Sequence, residues 1–224
     1  MNAQTIVLLI GLGLFFILSA IEVFYGFIED EKNRKIWKVF PAFVLSIFLM
    51  ITFPNYPLVY FAVLLGFFGD LLLIWERNKV VFIVGGVCFF IGHLLYLLEI
   101  IFISNLNLLW YGYLGLVLGF VIFFILLFII LRKKIGGTIM VLLASAYFYI
   151  LILNFVLSVI ALITTKNYYL ISVSIGYLMF IVSDTLLSYK LFIKEYKMDD
   201  FYIMSAYLLA QLFISVGLLL PFLS

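Results

Sequence analysis

The sequence has one cysteine, Cys88, and one histidine, His93, among its 224 residues. A single cysteine cannot form a disulfide within the chain. One histidine and one cysteine also cannot build a zinc site of three histidines, or one of mixed cysteine and histidine. The sequence contains neither a Gly-x-Ser-x-Gly nucleophile elbow nor a phosphate-binding loop. These absences argue against metal-dependent and serine hydrolases, and we expect neither a metal nor a cofactor.

Charged residues are also scarce. They make up 11% of the chain, whereas hydrophobic residues make up 68% and the mean hydropathy is +1.35. Soluble domains have about 25% charged and about 45–50% apolar residues, so no soluble fold could bury this much apolar surface. We predict an all-α polytopic integral membrane protein, with residues 1–224 forming a single transmembrane domain. The expected partner is the lipid bilayer, and a net charge of +2 gives no reason to expect nucleic acid.

Hydropathy predicts eight transmembrane helices, because a span needs about 20 mostly apolar residues. The turns between them include Pro-Asn-Tyr-Pro at 54–57, a charged loop at 132–137 and a polar run at 164–167. The first apolar run lacks a basic flank and a small-residue cleavage site, so we expect a retained helix rather than a signal peptide. The predicted spans are residues 4–26, 37–53, 57–75, 80–103, 107–131, 138–163, 168–190 and 201–221.

Basic residues predict the orientation of these spans. Twelve of the 13 lysines and arginines flank the odd-numbered connections, and only Lys166 falls in an even-numbered one. The positive-inside rule then places the odd connections in the cytoplasm and both termini on the non-cytoplasmic side. An error of one helix would destroy this alternation, so it supports the count of eight. The expected location is a bacterial inner membrane. The twelve residues are Lys32, Arg34, Lys35, Lys38, Arg77, Lys79, Arg132, Lys133, Lys134, Lys190, Lys194 and Lys197.

Two aspartates, Asp70 and Asp184, lie inside apolar spans in the similar contexts Gly-Asp-Leu-Leu-Leu and Ser-Asp-Thr-Leu-Leu. A carboxylate in hydrocarbon costs roughly 2.5–3.5 kcal/mol, so it marks a functional site by default. Each lies six residues before a charged residue, Glu76 or Lys190, at the cytoplasmic end of its helix. This predicts a depth of about 9 Å for both. The two helices are four spans apart and parallel, which is compatible with a repeat of two four-helix halves.

Further polar side chains are expected in the same inner half of the bundle. Tyr207 lies at comparable depth in the eighth span, and Gln211 lies one turn deeper on the same face. Glu22 enters this layer from the first span, and Lys38 marks the inner end of the second. Polar residues from several helices are therefore predicted to converge near the aspartates.

His93 and Tyr96 lie deeper, toward the membrane centre. A triad of Ser183, His93 and Asp184 is formally available, but His93 is about 10 Å deeper than the aspartates by helical rise. A lone buried histidine is also more often a hydrogen-bond partner between helices than a catalyst. Ser183 and Gln211 can equally form polar contacts between helices.

The pair of carboxyl groups has a chemical interpretation. Two carboxyls that face one poorly solvated cavity cannot both ionise easily, so one is expected to stay protonated. One protonated and one ionised carboxyl form an acid–base couple suited to hydrolysis. The same groups can serve a proton-coupled transporter or a lipid-binding membrane protein. There are also two structural alternatives. Lys38 can form a buried ion pair with Asp70 or Asp184, and the whole protein can be a structural subunit in which the aspartates serve only folding or assembly.

Four short motifs occur in order along the chain. Gly-Asp-Leu-Leu-Leu at 69–73 is followed by Phe-Ile-Gly-His-Leu-Leu-Tyr at 90–96, Phe-Ile-Val-Ser-Asp-Thr-Leu-Leu at 180–187 and Ala-Tyr-Leu-Leu-Ala-Gln at 206–211. Together these motifs resemble the YhhN-like family, the lysoplasmalogenases. Lys38 and Pro41 lie where the family has a Lys-Pro element, although two residues separate them here. The corresponding tyrosine of the sixth span is Tyr147 or Tyr149, because the sequence Tyr-Phe-Tyr leaves its register open.

The resemblance implies a hydrolase that cleaves the vinyl ether bond of lysoplasmalogens, without a required metal. The products would be a fatty aldehyde and a glycerophospho-ethanolamine or -choline. Asp70 and Asp184 are then the catalytic residues, one as the acid and the other as the base or electrostatic partner. Six further residues are predicted to bind the lysophospholipid substrate. They are Lys38 for the phosphate, Tyr207, Gln211 and Ser183 for water and the glycerol, and His93 and Tyr96.

Overall fold

A computed structural model describes residues 3–75, 78–105, 110–132 and 138–223 of the chain. Over these residues the protein is all-helical, as the composition predicts, with nine α-helices and a terminal 3-10 turn at Leu220–Phe222. The α-helices are α1 (Ala3–Phe27), α2 (Glu31–Trp37), α3 (Phe40–Thr52), α4 (Pro57–Leu73), α5 (Lys79–Ser104), α6 (Trp110–Arg132), α7 (Thr138–Thr165), α8 (Tyr169–Phe192) and α9 (Asp199–Leu219).

The second predicted span, 37–53, corresponds to α3, and a short helix that was not predicted precedes it. Residues 31–37 form the short helix α2, and α3 begins at Phe40. Pro41 stands in the first turn of α3 and has no backbone N–H to donate to the carbonyl of Trp37. The helix therefore breaks between these residues, and Lys38 lies at the break rather than inside a continuous helix.

Six helical segments of the described chain are long and apolar enough to cross a membrane, which makes the chain a multi-pass membrane protein by length and composition. The helix α4 is apolar but has only 17 residues. The count of eight spans, the four-plus-four repeat and the side of the termini stay predictions. The six segments are Ala3–Phe27, Glu31–Thr52, Lys79–Ser104, Met140–Thr165, Tyr169–Leu191 and Asp199–Phe222.

The end of α4 corrects one estimate of depth. The prediction extended this helix to residue 75, but it ends at Leu73, three residues after Asp70. Helical rise therefore does not apply over the whole distance from Asp70 to Glu76. Glu76 and Arg77 lie outside the described residues, as does most of the charged loop predicted at 132–137.

The helix α9 occupies the middle of the bundle. Successive contacts join α1 to α3, α3 to α4, α4 to α5, α5 to α7, α7 to α8 and α8 to α9. Contacts between α9 and α1 close this ring, and α9 also contacts α3, α4 and α5. The helix α6 packs against α7. As a result, α9 packs against both α4 and α8, the helices that carry the two aspartates.

Two glycines allow close helix contacts about two turns away from the aspartates. A Cβ at Gly92 of α5 would lie 3.0 Å from the carbonyl oxygen of Ala62 in α4. A Cβ at Gly176 of α8 would lie 2.7 Å from Cγ1 of Ile214 and 3.0 Å from its backbone nitrogen in α9. A larger residue at either position would push these helix pairs apart, so the small side chain fixes their spacing.

Candidate active site

A cavity of about 210 Å³ lies among α4, α5, α7, α8 and α9, and residues of α2 line one end of it. Both aspartates line this cavity, Asp70 from α4 and Asp184 from α8. Both residues are buried: Asp70 is 2% exposed and Asp184 is 8% exposed. The two carboxyl groups, which are 114 positions apart in the sequence, therefore line one cavity.

Asp70 is held by two neighbours. The hydroxyl of Tyr207 donates a hydrogen bond of 2.6 Å to Oδ2 of Asp70. Nζ of Lys38 lies 3.8 Å from Oδ1 of the same carboxyl group. The helix break that Pro41 imposes places Lys38 at this position. The predicted convergence of Lys38, Asp70 and Tyr207 is thus present in the structure.

Asp184 has its own tyrosine donor. The hydroxyl of Tyr147 on α7 donates a hydrogen bond to Oδ2 of Asp184. Of the two tyrosines left open by the sequence, Tyr147 lines the cavity. Ser183 also lines the cavity, and its hydroxyl donates a hydrogen bond of 2.9 Å to the carbonyl of Ile203 on α9. Ser183 therefore ties α8 to α9 beside the carboxyl group.

A hydrogen-bonded chain lies behind Asp70. Nε2 of Gln211 donates to the hydroxyl of Tyr207 over 3.4 Å, and the hydroxyl of Tyr96 donates to Oε1 of Gln211 over 3.1 Å. Gly66 makes room for this chain, since a Cβ there would lie 2.9 Å from Nε2 of Gln211. The described cavity wall includes neither Tyr96 nor Gln211, so the structure places both behind Tyr207.

His93 is packed among aromatic rings rather than on the cavity wall. Its ring centroid lies 4.5 Å from that of Phe180 and 5.8 Å from that of Tyr147. Among the described residues, Nδ1 of His93 has no hydrogen-bond partner. The hydroxyl of Ser183 donates to a backbone carbonyl and not to this ring, so the Ser183–His93–Asp184 triad is not formed.

Glu22 is a third buried carboxyl group near the site. It is 0% exposed, and neither of its carboxyl oxygens has a hydrogen-bond partner within the described chain. It interacts electrostatically with Lys38 and Asp70. The sequence predicted that Glu22 lies at the depth of the aspartates, and in the structure it is buried near Lys38 and Asp70. Its side chain is not on the described cavity wall.

The end of the cavity next to α2 is charged. Nε of Arg34 lies 3.1 Å from Oδ2 of Asp200, and Nζ of Lys190 lies 2.8 Å from Oδ1 of the same residue. Lys190 also pairs with Asp199 at 2.9 Å. The sequence analysis predicted only an orientation from Arg34 and Lys190, and did not predict this charged end of the cavity. Both residues lie near the predicted cytoplasmic ends of spans, and that position was the available signal.

The donor set of this site does not match a metal centre. Within the described ranges, no group of three or more histidine, cysteine, aspartate or glutamate side chains is placed to hold a metal ion. Around Asp70 and Asp184, the cavity instead presents their two carboxyl groups, the hydroxyls of Tyr147 and Tyr207, and the ammonium group of Lys38. This set can donate a proton, accept a proton and stabilise charge.

The model of the YhhN family matches residues 33–218, which is most of the chain. The matched region contains Lys38, both aspartates and both tyrosine donors. No curated protein and no solved structure matches the chain.

Proposed function

The chain belongs to the YhhN family, and we propose that it is a membrane-embedded hydrolase that cleaves the vinyl ether bond of lysoplasmalogens. The products would be a fatty aldehyde and a glycerophospho-ethanolamine or -choline. The motif resemblance supports this reaction class, and the six apolar helices support a site within a membrane. We also propose a bacterial inner membrane as its location, with the α2 end of the cavity on the cytoplasmic side.

The observation that carries the proposal is the pairing of Asp70 and Asp184 in one cavity, each with a tyrosine donor. Vinyl ether hydrolysis begins with protonation of the β-carbon, which leaves an oxocarbenium ion. Water adds to this ion, and the resulting hemiacetal collapses to the aldehyde and the alcohol. The reaction needs a positioned acid, a carboxylate that stabilises positive charge and activates water, and no redox step.

The surroundings of the two aspartates favour different roles. Lys38 lies 3.8 Å from Asp70 and stabilises negative charge on it, whereas no described ion pair involves Asp184. We therefore assign Asp70 as the ionised carboxylate and Asp184 as the proton donor. Tyr147 occupies Oδ2 of Asp184, which leaves Oδ1 to carry the transferred proton.

In this mechanism Asp184 protonates the β-carbon and becomes a carboxylate. Asp70 stabilises the oxocarbenium ion and accepts a proton from the attacking water. Asp184 then accepts the hemiacetal hydroxyl proton as the glycerol oxygen leaves, and the proton on Asp70 passes to that oxygen. Both carboxyl groups return to their starting states. Lys38 would also hold the substrate phosphate as a point charge.

The test is aldehyde release from lysoplasmenyl-ethanolamine by detergent-purified protein. Asp70→Asn and Asp184→Asn should each lower the rate by roughly 10²-fold or more, the usual contribution of a general acid or base. Glu195→Gln is the matched control, because Glu195 is exposed in the segment between α8 and α9. Its rate should equal that of the wild type.

Two results would contradict the proposal. One is no aldehyde from the wild type, and the other is full activity in both aspartate variants. Proton-dependent uptake of a solute into liposomes, abolished by the same two substitutions, would favour a proton-coupled transporter instead.

A further inference from the structure

The cavity wall between α5 and α7 is also part of the outer surface. Val87 of α5 and Leu143 of α7 both line the cavity, and they are 37% and 38% exposed. Side chains that line a cavity and are this exposed indicate that the wall is open there. Over the described residues, this places a side opening between these two helices, on the outer surface of the bundle.

This opening ends where the two helices come together. Deeper in the bundle, Nδ2 of Asn154 on α7 donates a hydrogen bond of 3.1 Å to the backbone carbonyl of His93 on α5. The rings of His93 and Tyr147 pack at 5.8 Å at the same level. The gap lies on the N-terminal side of these contacts in both helices. We name it the α5–α7 gap and define it by Gly86, Val87, Leu143 and Ala144.

A glycine forms part of the α5–α7 gap. Gly86 lines the cavity, and a Cβ added to it would meet no atom within 4 Å. This glycine is unlike Gly92 and Gly176, where a Cβ would press on the neighbouring helix. Helix packing therefore does not require a glycine at position 86, and its effect is to leave space inside the cavity.

The two ends of the cavity differ in chemistry. Arg34, Lys35 and Lys38 line the end next to α2, whereas the wall toward the gap is formed by apolar side chains. Its volume of about 210 Å³ is below the roughly 300–1,000 Å³ of pockets that enclose a drug-sized ligand. A lipid would therefore fit only if part of it extended out of the cavity.

We propose that the α5–α7 gap admits the single hydrocarbon chain of a lysophospholipid from the bilayer, with Gly86 setting the width. This inference rests on the proposed function and adds the path of the chain. The phosphate lies at the basic end, the bond to be cleaved lies beside Asp70 and Asp184, and the chain leaves sideways into lipid.

The test uses a lysolipid that cannot be hydrolysed, so binding is measured apart from catalysis. The probe is a saturated 1-O-alkyl lysophosphoethanolamine with a diazirine at mid-chain, in lipid nanodiscs that contain the protein. Photo-cross-links mapped by mass spectrometry should concentrate on residues 82–90 and 140–148. Excess unlabelled 1-O-alkyl lysophosphoethanolamine should suppress them.

Two variants narrow the gap from opposite sides. Gly86→Phe and Leu143→Trp should each reduce these cross-links at least tenfold. Gly13→Phe is the matched control, because Gly13 is exposed on α1 and also has no atom within 4 Å of an added Cβ. It should cross-link as the wild type does, which separates a blocked gap from a general effect of a bulky residue.

The outcomes for the gap and for the reaction are distinct. Cross-links spread evenly over the lipid-facing helices, or unchanged in both gap variants, would overturn the chain path even if aldehyde is released. Cross-links confined to the gap, without aldehyde from a vinyl ether substrate, would support the chain path and overturn the proposed hydrolysis.

Discussion

Tyr207 on α9 donates a hydrogen bond of 2.6 Å to Asp70 on α4, across 137 positions of sequence. This contact joins the central helix of the bundle to one of the two buried carboxyl groups. Because Tyr207 also accepts a hydrogen bond from Gln211, the orientation of Asp70 is set from deep within the bundle. Asp184 receives the same kind of contact from Tyr147, but on α7. The two carboxyl groups are thus held independently.

Removal of the Tyr207 hydroxyl should impair catalysis more than stability. In Tyr207→Phe the described hydrogen-bond donor to Asp70 is lost. Since a hydrogen bond to a charged group contributes about 1.5–3 kcal/mol, we expect a fall in kcat of roughly tenfold or more. Steady-state kinetics of aldehyde release measures this change.

Tyr177→Phe is the control for Tyr207→Phe. Tyr177 is 0% exposed, and its hydroxyl has no hydrogen-bond partner among the described residues. Its kcat should match that of the wild type. Equal kcat values in Tyr207→Phe and Tyr177→Phe would show that Tyr207 has no part in the reaction.

Tyr147 and Tyr149 should respond differently to the same change. At 3.6 residues per turn, these two side chains point about 160° apart on α7, and Tyr147 alone of the two is on the described cavity wall. We expect Tyr147→Phe to lower kcat roughly tenfold or more, because this hydrogen bond stabilises the carboxylate that Asp184 becomes when it transfers its proton. Tyr149→Phe should retain full activity. The reverse order of the two variants would refute the assignment.

Lys38 has two possible roles, which a change of substrate separates. If it holds phosphate, Lys38→Met should raise KM for lysoplasmenyl-ethanolamine about tenfold, from the loss of one charge-assisted contact. KM for a monoalkenylglycerol, which has no phosphate, should then stay unchanged. A fall in kcat for both substrates, with KM constant, would mean that Lys38 acts only through Asp70.

Alanine substitutions at Gly176 and Gly13 should affect the stability of the protein differently, because only Gly176 lies at a close helix contact. Gly176→Ala would place a Cβ against the backbone of α9, so we expect a loss of about 1–3 kcal/mol, as in other overpacked sites. Gly13→Ala adds a methyl group where no atom lies within 4 Å, and it should be at least as stable as the wild type. Thermal unfolding in detergent measures both. Equal midpoints for Gly176→Ala and the wild type would contradict the close packing.

Much of the fold is accessible from the sequence because long apolar runs have few alternatives in a membrane. Every predicted span corresponds to a helix in the described chain. The separate helix α2 was missed, because basic residues and a tryptophan next to an apolar run do not reveal where a helix bends. Pro41 was the visible signal, since a proline removes the hydrogen bond to the residue four positions earlier.

The sequence predicted the site residues that are charged, because a charged side chain inside an apolar span is unfavourable in lipid and therefore stands out. Asp70, Asp184 and Lys38 belong to this class, and all three line the cavity. Tyrosine is common in this chain, with 15 examples, so Tyr147 gave no signal of its own. The enclosure of His93 by rings of four different residues depends on packing between helices, which spacing along one helix does not predict. The binding roles of His93, Tyr96 and Gln211 stay predictions.

The fate of the solvent proton tests the proposed reaction most directly. Wild-type protein in D₂O is given lysoplasmenyl-ethanolamine, and the aldehyde is reduced at once to the alcohol, before its own C2 hydrogens exchange. Mass spectrometry then counts deuterium at C2. Protonation of the vinyl ether β-carbon by the carboxyl pair predicts one deuterium at C2 of the released chain. Aldehyde without deuterium at that carbon, or no aldehyde at all, would contradict the account.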